Sequence, residues 1–201
     1  MAIAVKFFTG AAMRPHLPAL ARLRVTVFRE YPYLYDGTEA GEQAHLAHFA
    51  ASPLAGMAVA FDDAGEAVGC STCLPLPDAG AAMLAPFLAT GLLPERYFYF
   101  GESVLLKRHR RGGVGGEFFA HREAHARAVS AADFATFCAV ERPTAHPLRP
   151  PDHVPLDGFW QRRGYVHHPE LVSTVRWRQV DGPDPVEQRL SFWIKPLRTT
   201  P

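Results

Sequence analysis

Arg110-Arg111-Gly112-Gly113-Val114-Gly115-Gly116 is the stretch whose reading decides the fold. Before it, residues 96–107 are rich in aromatic and β-branched side chains (Tyr97, Phe98, Tyr99, Phe100, Val104) and predict a long strand. After it, residues 116–130 are alanine-rich and predict a helix, and residues 134–141 predict another strand. Strand, glycine turn, helix, strand is a βαβ unit, so these two strands are expected to be parallel neighbours. Four glycines in five residues let the backbone approach a ligand closely. The first N–H groups of the helix are unpaired and carry the positive end of its dipole. That geometry suits phosphate, and Lys107, Arg108, Arg110 and Arg111 add formal charge. The plain alternative is a tight turn with solvated arginines.

Outward from the turn, residues 3–8 alternate enough for a first strand. Residues 15–30 place Leu20, Leu23 and Val27 at helical spacing, with Arg22 and Arg29 turned away. Residues 31–37 hold Tyr31, Pro32, Tyr33, Tyr35 and an Asp-Gly pair, which predicts an aromatic loop. A second helix is expected over 39–51. A hairpin is expected over 57–61 and 67–74, and a short helix or loop over 79–91. Residues 142–155 contain five prolines and must be a loop, long enough to suspect a function. A short helix is predicted over 157–163, with Asp157 as N-cap and Gly164 at its end. Two last strands are predicted near 171–178 and 190–197. The elements describe one α+β domain over residues 1–201, with a mixed sheet flanked by helices.

Composition narrows the function classes. The chain has 201 residues, the size of one ordinary domain. A net charge of +1 argues against a general nucleic-acid or anionic-membrane binder, and the 107–111 basic cluster alone does not reverse that. Hydrophobic residues make up 48%, so a sizeable core is available. No apolar run approaches the roughly 20 residues of a membrane span. The first residues show no signal-peptide pattern, and three cysteines cannot build a disulfide framework. A cytoplasmic protein is expected.

The type of phosphate is narrowed by spacing. No Lys-Ser or Lys-Thr follows the glycines, so the P-loop pattern is absent. A dinucleotide pattern starting at Gly113 and Gly115 fails at Phe118. What remains is R-x-x-G-x-G, at Arg110, Gly113 and Gly115. Downstream stands Phe159-Trp160-Gln161-Arg162-Arg163-Gly164-Tyr165. In these two motifs and in element order, nearly the whole chain resembles the GNAT superfamily of N-acetyltransferases. The turn resembles that family's pyrophosphate site, and the second motif its F-Y-x-x-x-G-F element. The stretches 28–36, 101–106 and 139–151 look like a bacterial subgroup of the superfamily.

The resemblance implies an α+β GNAT fold whose mixed sheet has a splayed parallel pair. It implies acetyl-CoA as cosubstrate, a primary amine in a small molecule or peptide as acceptor, and direct attack in a ternary complex. Backbone N–H groups of Arg111, Gly112, Gly113, Val114, Gly115 and Gly116, beside Arg110, would hold the diphosphate. The main chain of Ser103, Val104 and Leu105 would pair with the pantetheine arm, with an N–H near Leu105 for the thioester oxygen. Phe159 and Trp160 would lie beside the arm. An alkylammonium must lose a proton before it attacks; Glu102 is the first choice of base and Glu141 the second, the alternatives being that Glu102 forms an ion pair with a nearby arginine or that these carboxylates only attract a cationic substrate. Trp160 replaces the tyrosine the family often uses as acid. Tyr165, Ser103 or Cys138 could substitute, or the thiolate could leave unaided, since a thiol with a pKa near 8.5 is a fair leaving group. Tyr31, Tyr33, Tyr35 and His146 could wall the acceptor site.

Trp160 also keeps open a different class, a non-catalytic acyl-CoA-binding sensor or regulatory module. A phosphate-binding domain for other nucleotides is a third reading. The remaining patterns read as structure. Cys70 and Cys73 have an odd separation on a predicted strand and should face opposite ways. His121 and His125 sit four apart on a helix with no third ligand, so no metal is expected. His153, His167 and His168 read as surface residues. If a homodimer forms, Phe192 and Trp193 on the last strand are the expected contact.

Overall fold

The computed structural model describes residues 3–198. Its centre is a seven-stranded sheet in the order β1-β2-β3-β4-β5-β7-β6. The strands are β1 (Ala4–Thr9), β2 (Gly56–Phe61), β3 (Ala67–Pro75), β4 (Tyr97–Leu105), β5 (Phe134–Val140), β6 (Val166–Arg178) and β7 (Pro185–Pro196). The helices are α1 (Leu17–Phe28), α2 (Glu39–Ala51), α3 (Ala81–Ala89), α4 (Val114–Val129) and α5 (Asp157–Gln161). All neighbours are antiparallel except β4 and β5. The expected fold class, α+β with a mixed sheet and one parallel pair, is what forms.

Two helical layers cover the sheet, and strand alternation decides which residues meet which layer. Leu20 and Leu23 of α1 and Leu46 and Phe49 of α2 pack on Met57, Val59, Cys70 and Val104. On the other face, Phe119 and Ala126 of α4 pack on Cys73, Phe98, Phe100, Phe137 and Trp193, and Phe118 packs on Ala58, Ala60 and Val68. Cys70 and Cys73 therefore do lie on opposite faces, both as free thiols. Burial drives the Cys73 thiol up to about 12. α3 covers the β7 end of the first face through Phe87 against Tyr97 and Phe192.

Several expectations change. The first helical region is split, because Pro15 lies in a 3-10 turn (Gly10–His16) that precedes α1. Asp157 is the first residue of α5 rather than its cap, which is Leu156. β6 begins five residues before the predicted 171, and β7 five before 190. The early residues of β6 pair with residues 192–194 of β7, and those of β7 pair with residues 174–178 on the exposed hairpin; in both, polar residues hide strand character. Phe192 and Trp193 are 0% and 4% exposed on a strand flanked by β5 and β6, so they cannot form a dimer contact. No helix of the described residues is long and apolar enough to cross a membrane.

Candidate active site

β4 and β5 pair only at Tyr97↔Phe134, Phe98↔Ala135 and Tyr99↔Thr136. Beyond that point they separate. From Phe100 onward β4 remains bonded to β3, and from Phe137 onward β5 remains bonded to β7. Their facing edges therefore carry backbone donors and acceptors with no strand between them. Ser103, Val104 and Leu105 lie on the open part of β4. An extended polar chain entering this wedge would find strand-like partners.

At the wide end of the wedge the chain enters the glycine turn. Arg111 and Gly113 have left-handed backbone, with φ of 71° and 90°. Gly113 caps α4, and its carbonyl accepts from the Gly116 N–H at 2.7 Å. The Gly116 N–H is thereby used internally, a correction to the expected donor set. The N–H groups of Arg111, Gly112, Gly113, Val114 and Gly115 meet no protein acceptor among the described residues. A Cβ on Gly113 would have nothing within 4 Å, so the surface above it is open. Arg110 is a brace rather than a free cation. Its Nε donates to the Leu105 carbonyl at 2.9 Å, and its guanidinium pairs with Glu30 at 2.8 Å. His109 beneath the turn is buried, with Nε2 unpartnered.

The second motif packs directly on the first. A Cβ on Gly115 would lie 3.3 Å from the Phe159 ring, so this glycine gives α5 its seat on α4. Arg163 stacks over Phe159 at 3.7 Å and reaches to Gly116. Trp160 packs on Phe137 of β5 and on Trp193, with ring centroids 5.1 and 5.0 Å away.

The opposite face of β4 carries a charged cluster that sequence reading did not find. The β3–β4 register passes from Ser71↔Ser103 to Cys73↔Phe100, so β4 holds one extra residue around Gly101 and Glu102. That bulge turns Glu102 and Val104 toward α1, whereas Phe98 and Phe100 face α4. Only glycine fits at 101, because a Cβ there would sit 2.4 Å from Thr72 Oγ1. Glu102 accepts from Arg24 of α1, and the same guanidinium donates to Glu42 of α2. The carboxylate side chains are 6% and 2% exposed. Burial, the largest single influence, would raise the Glu102 carboxyl; Arg24, His45 and nearby hydrogen-bond donors together outweigh it and hold it below its ordinary value. Burial likewise opposes the Arg24 charge, but Glu102 and Glu42 keep it above its usual range. His45 of α2 is held low by burial and then by Arg24, and so stays neutral near pH 7.

No protein-family model matches the sequence, and no curated protein matches it significantly. Solved structures do match. A GCN5-related N-acetyltransferase from Kribbella flavida is 18% identical, with a TM-score of 0.56 over 97% of this chain and 98% of that one. A ribosomal-protein-alanine N-acetyltransferase from Brucella melitensis is 14% identical, with a TM-score of 0.60 over 96% and 99%. A Salmonella typhimurium structure, described as an acetyltransferase with its cofactor acetyl-CoA, is 10% identical, with a TM-score of 0.57 over 100% and 97%. This chain has the GNAT fold.

The GNAT fold brings the expected residues together unequally. Tyr33 and Tyr35 reach the Arg24 cluster. Burial and then the Glu42 carboxylate push the Tyr35 phenol up to about 12, and Tyr33 rises further by burial and then by Cys138. Gly37 permits this pose, since a Cβ there would meet the Tyr35 ring at 2.2 Å. Arg142, which the sequence did not single out, ties this loop to β5. Its Nε and Nη2 donate to the Pro32 and Tyr33 carbonyls, and Nη1 to Gln188. Trp177 stacks on Tyr33 and donates to the same Tyr33 carbonyl. Tyr31 lies farther out against His146 and His153, at 5.8 and 4.7 Å.

Two expected catalytic groups are placed elsewhere. Glu141 follows the α4-facing parity of Phe137 and Ala139 and pairs with Arg189 at 3.0 Å, away from Glu102. Tyr165 is 1% exposed in the core, its hydroxyl donating to Glu123 at 3.2 Å. Burial, then that carboxylate, raise its phenol. Cys138 faces Tyr99 with Sγ 3.3 Å from the hydroxyl, and burial drives the thiol up to about 11. Ser103 Oγ shares a hydrogen bond with Ser71. His125 meets the Leu54 carbonyl and His167 the Ser191 hydroxyl. No group of ligating side chains suited to a metal occurs among the described residues.

Proposed function

We propose that this chain is an N-acetyltransferase that moves an acetyl group from acetyl-CoA to a primary amine by direct attack in a ternary complex. The observation that carries the reading is the β4–β5 wedge opening onto five free N–H groups at the start of α4. When bound, acetyl-CoA supplies the thioester carbon. Its diphosphate fits the N–H groups of Arg111, Gly112, Gly113, Val114 and Gly115 at the positive helix end. Its arm fits the open edge of Ser103, Val104 and Leu105, with Phe159 and Trp160 at the flank. A backbone N–H near Leu105 would oppose charge growing on the acyl oxygen.

Arg110 would act by fixing the end of β4 rather than by holding phosphate. Glu102 would take the ammonium proton, directly or through a water, and Tyr33 and Tyr35 would wall the acceptor. Neither Glu141 nor Tyr165 has a part in this scheme: Tyr165 is buried in the α4-side core on Glu123, and Glu141 pairs with Arg189 past the end of β5. The departing thiolate leaves without an acid from the protein, as a thiol pKa near 8.5 permits. The acceptor belongs to a small molecule or a peptide, and the protein works in the cytoplasm with neither nucleic acid nor membrane as partner.

Calorimetry with acetyl-CoA, followed by release of free CoA with an amine panel, tests this. Binding with turnover is expected. Binding without turnover favours the second reading, a non-catalytic acyl-CoA sensor, for which Trp160 in place of tyrosine is the supporting feature. No heat with either free or acetylated CoA overturns both.

A further inference from the structure

At the end of the sheet opposite the wedge, an apolar surface is left uncovered. Tyr97 and Phe134, the first residues of β4 and β5, stack there with ring centroids 5.1 Å apart, on the face that carries α3. Thr90 and Leu92, just past the end of α3, wall a groove of about 400 Å³ whose floor is Tyr97, Phe134, Leu171 and Ile194. The apolar surface continues beyond the groove. Leu93 follows Leu92 and is 55% exposed. Val166 stands opposite Ile194 in the β6–β7 register, so it shares that face, and it is 59% exposed. Aliphatic side chains held in water around an aromatic floor mark a contact surface.

Charge says what covers it. Two ion pairs stand at opposite ends of the groove. On the β4 side, Arg96 lies over the Phe134 ring, 5.4 Å from its centroid, and pairs with Asp133 at 2.7 Å. On the β6 side, Glu170 accepts from His168 at 2.8 Å. The Arg96 and Glu170 side chains are both more than half exposed, so each keeps a free side. In the order β4-β5-β7-β6 the two ends are three strand spacings apart, about 14 Å. A surface with a cation at one end, an anion at the other and an apolar middle is complementary to itself under a two-fold rotation. A small apolar molecule in the groove would leave Leu93 and Val166 in water. Pairing of sheet edges is blocked: β6 is the outermost strand, and Pro169 and the shifted register between His168 and Val172 spoil its free edge.

We infer that this chain forms a two-fold homodimer face to face, in which the groove, Leu93 and Val166 pack on the same surface of a second copy and Arg96 meets Glu170 of the partner subunit. The wedge opens at the other ends of β4 and β5. Pairing therefore leaves both clefts free, and it stands whether or not the chain transfers acetyl groups.

Light scattering on the full chain, from dilute to concentrated, tests this. The wild type should run at twice the chain mass and dissociate on dilution. Leu93→Glu and Val166→Glu put a carboxylate in the apolar middle and should give monomers. Arg96→Glu and Glu170→Arg should each weaken the dimer by about tenfold or more, since each sets like charges face to face. Both reversals in one chain should bring back most of the lost affinity, because opposite charges then meet again at both ends. Circular dichroism should show every variant folded, as all four side chains are more than half exposed. A wild type that stays monomeric at every concentration overturns the inference and leaves the groove to a different protein. So does a dimer indifferent to Leu93→Glu and Val166→Glu, which would place the contact elsewhere. So does a double reversal as weak as the two single effects combined, which would mean that Arg96 and Glu170 do not meet.

Discussion

The two halves of the cleft are built from different materials. The half at the glycine turn is main chain: five N–H groups, a helix end and two open strand edges, with side chains serving mainly as braces. The half at the bulge is side chain: Arg24, Glu42, Glu102, Tyr33 and Tyr35, brought together from α1, α2, β4 and a loop. A main-chain site constrains residue type over a short run, because Gly113 takes left-handed backbone and Gly115 leaves room for the Phe159 ring. A side-chain site scatters its parts over some 80 residues and leaves the backbone free. The first half should tolerate changes of charge but not of shape, and the second the reverse.

The largest effect is expected where that contrast is sharpest, at Arg24. Arg24→Gln leaves two buried carboxylates facing each other without a cation. Breaking such a buried pair typically costs about 3–5 kcal/mol. Chemical denaturation should show a loss of that order, and adding Glu42→Gln should recover part of it. A loss within the scatter of ordinary surface substitutions would mean that the cluster is solvated, and the contrast between the halves would fall.

On the glycine side, shape is the lever. Gly113→Ala puts a Cβ where φ is 90° and space is open. It should cost about 1–2 kcal/mol in backbone strain and weaken acetyl-CoA correspondingly. Gly115→Val should do more, since its side chain meets the Phe159 ring and shifts α5 as well as the turn. Calorimetry paired with thermal melting separates the two. Unchanged affinity in both variants would remove the turn from the site.

The same division explains what the sequence made legible. The glycine turn, the parallel pair and the α5 motif are contiguous runs whose residue types have few other uses. Arg24 was missed although a signal existed. It lies four residues after Leu20, on the stripe of Leu20, Leu23 and Val27, so a charge sits on the apolar face of a helix. Glu42 does the same on α2 with Leu46 and Phe49. Two opposite charges on two buried stripes predict a pair, but not that a third partner waits on β4. The face of Glu102 was beyond reach, because it depends on a bulge that only pairing creates. Glu141 stands as second choice behind Glu102 for the same reason: without the bulge and the splay, both are carboxylates near the ends of adjacent strands.

Acidity gives a smaller and signed effect. The Glu102 carboxyl is held below its ordinary 4.5, because Arg24 and the other groups around it together overcome burial. Its contribution to stability is therefore complete above about pH 4.5 and is lost as pH falls through the lower folded value. The urea midpoint of the wild type should decline more steeply below that pH than the midpoint of Glu102→Gln. Because Glu102 is already ionised, it should contribute no acid limb to kcat/KM between about pH 5 and 8. A wild type and variant with parallel acid declines would show that Glu102 is not coupled to Arg24 in solution.

The smallest change is expected at Arg110, the residue that looks most like a phosphate ligand in the sequence. Its guanidinium is spent on the Leu105 carbonyl and on Glu30, and both ion-pair partners are more than a third exposed. Exposed pairs of this kind contribute about 0–1 kcal/mol. Arg110→Met should therefore lower acetyl-CoA affinity by no more than about fivefold, and raising the salt concentration should narrow the gap only slightly. The contrast with Gly113→Ala is the point of the experiment. If the main chain holds the diphosphate, removing a whole charge at 110 costs less than adding one methyl at 113. The opposite ranking would make the turn a scaffold for cationic side chains, and the five N–H groups would lose their assigned role.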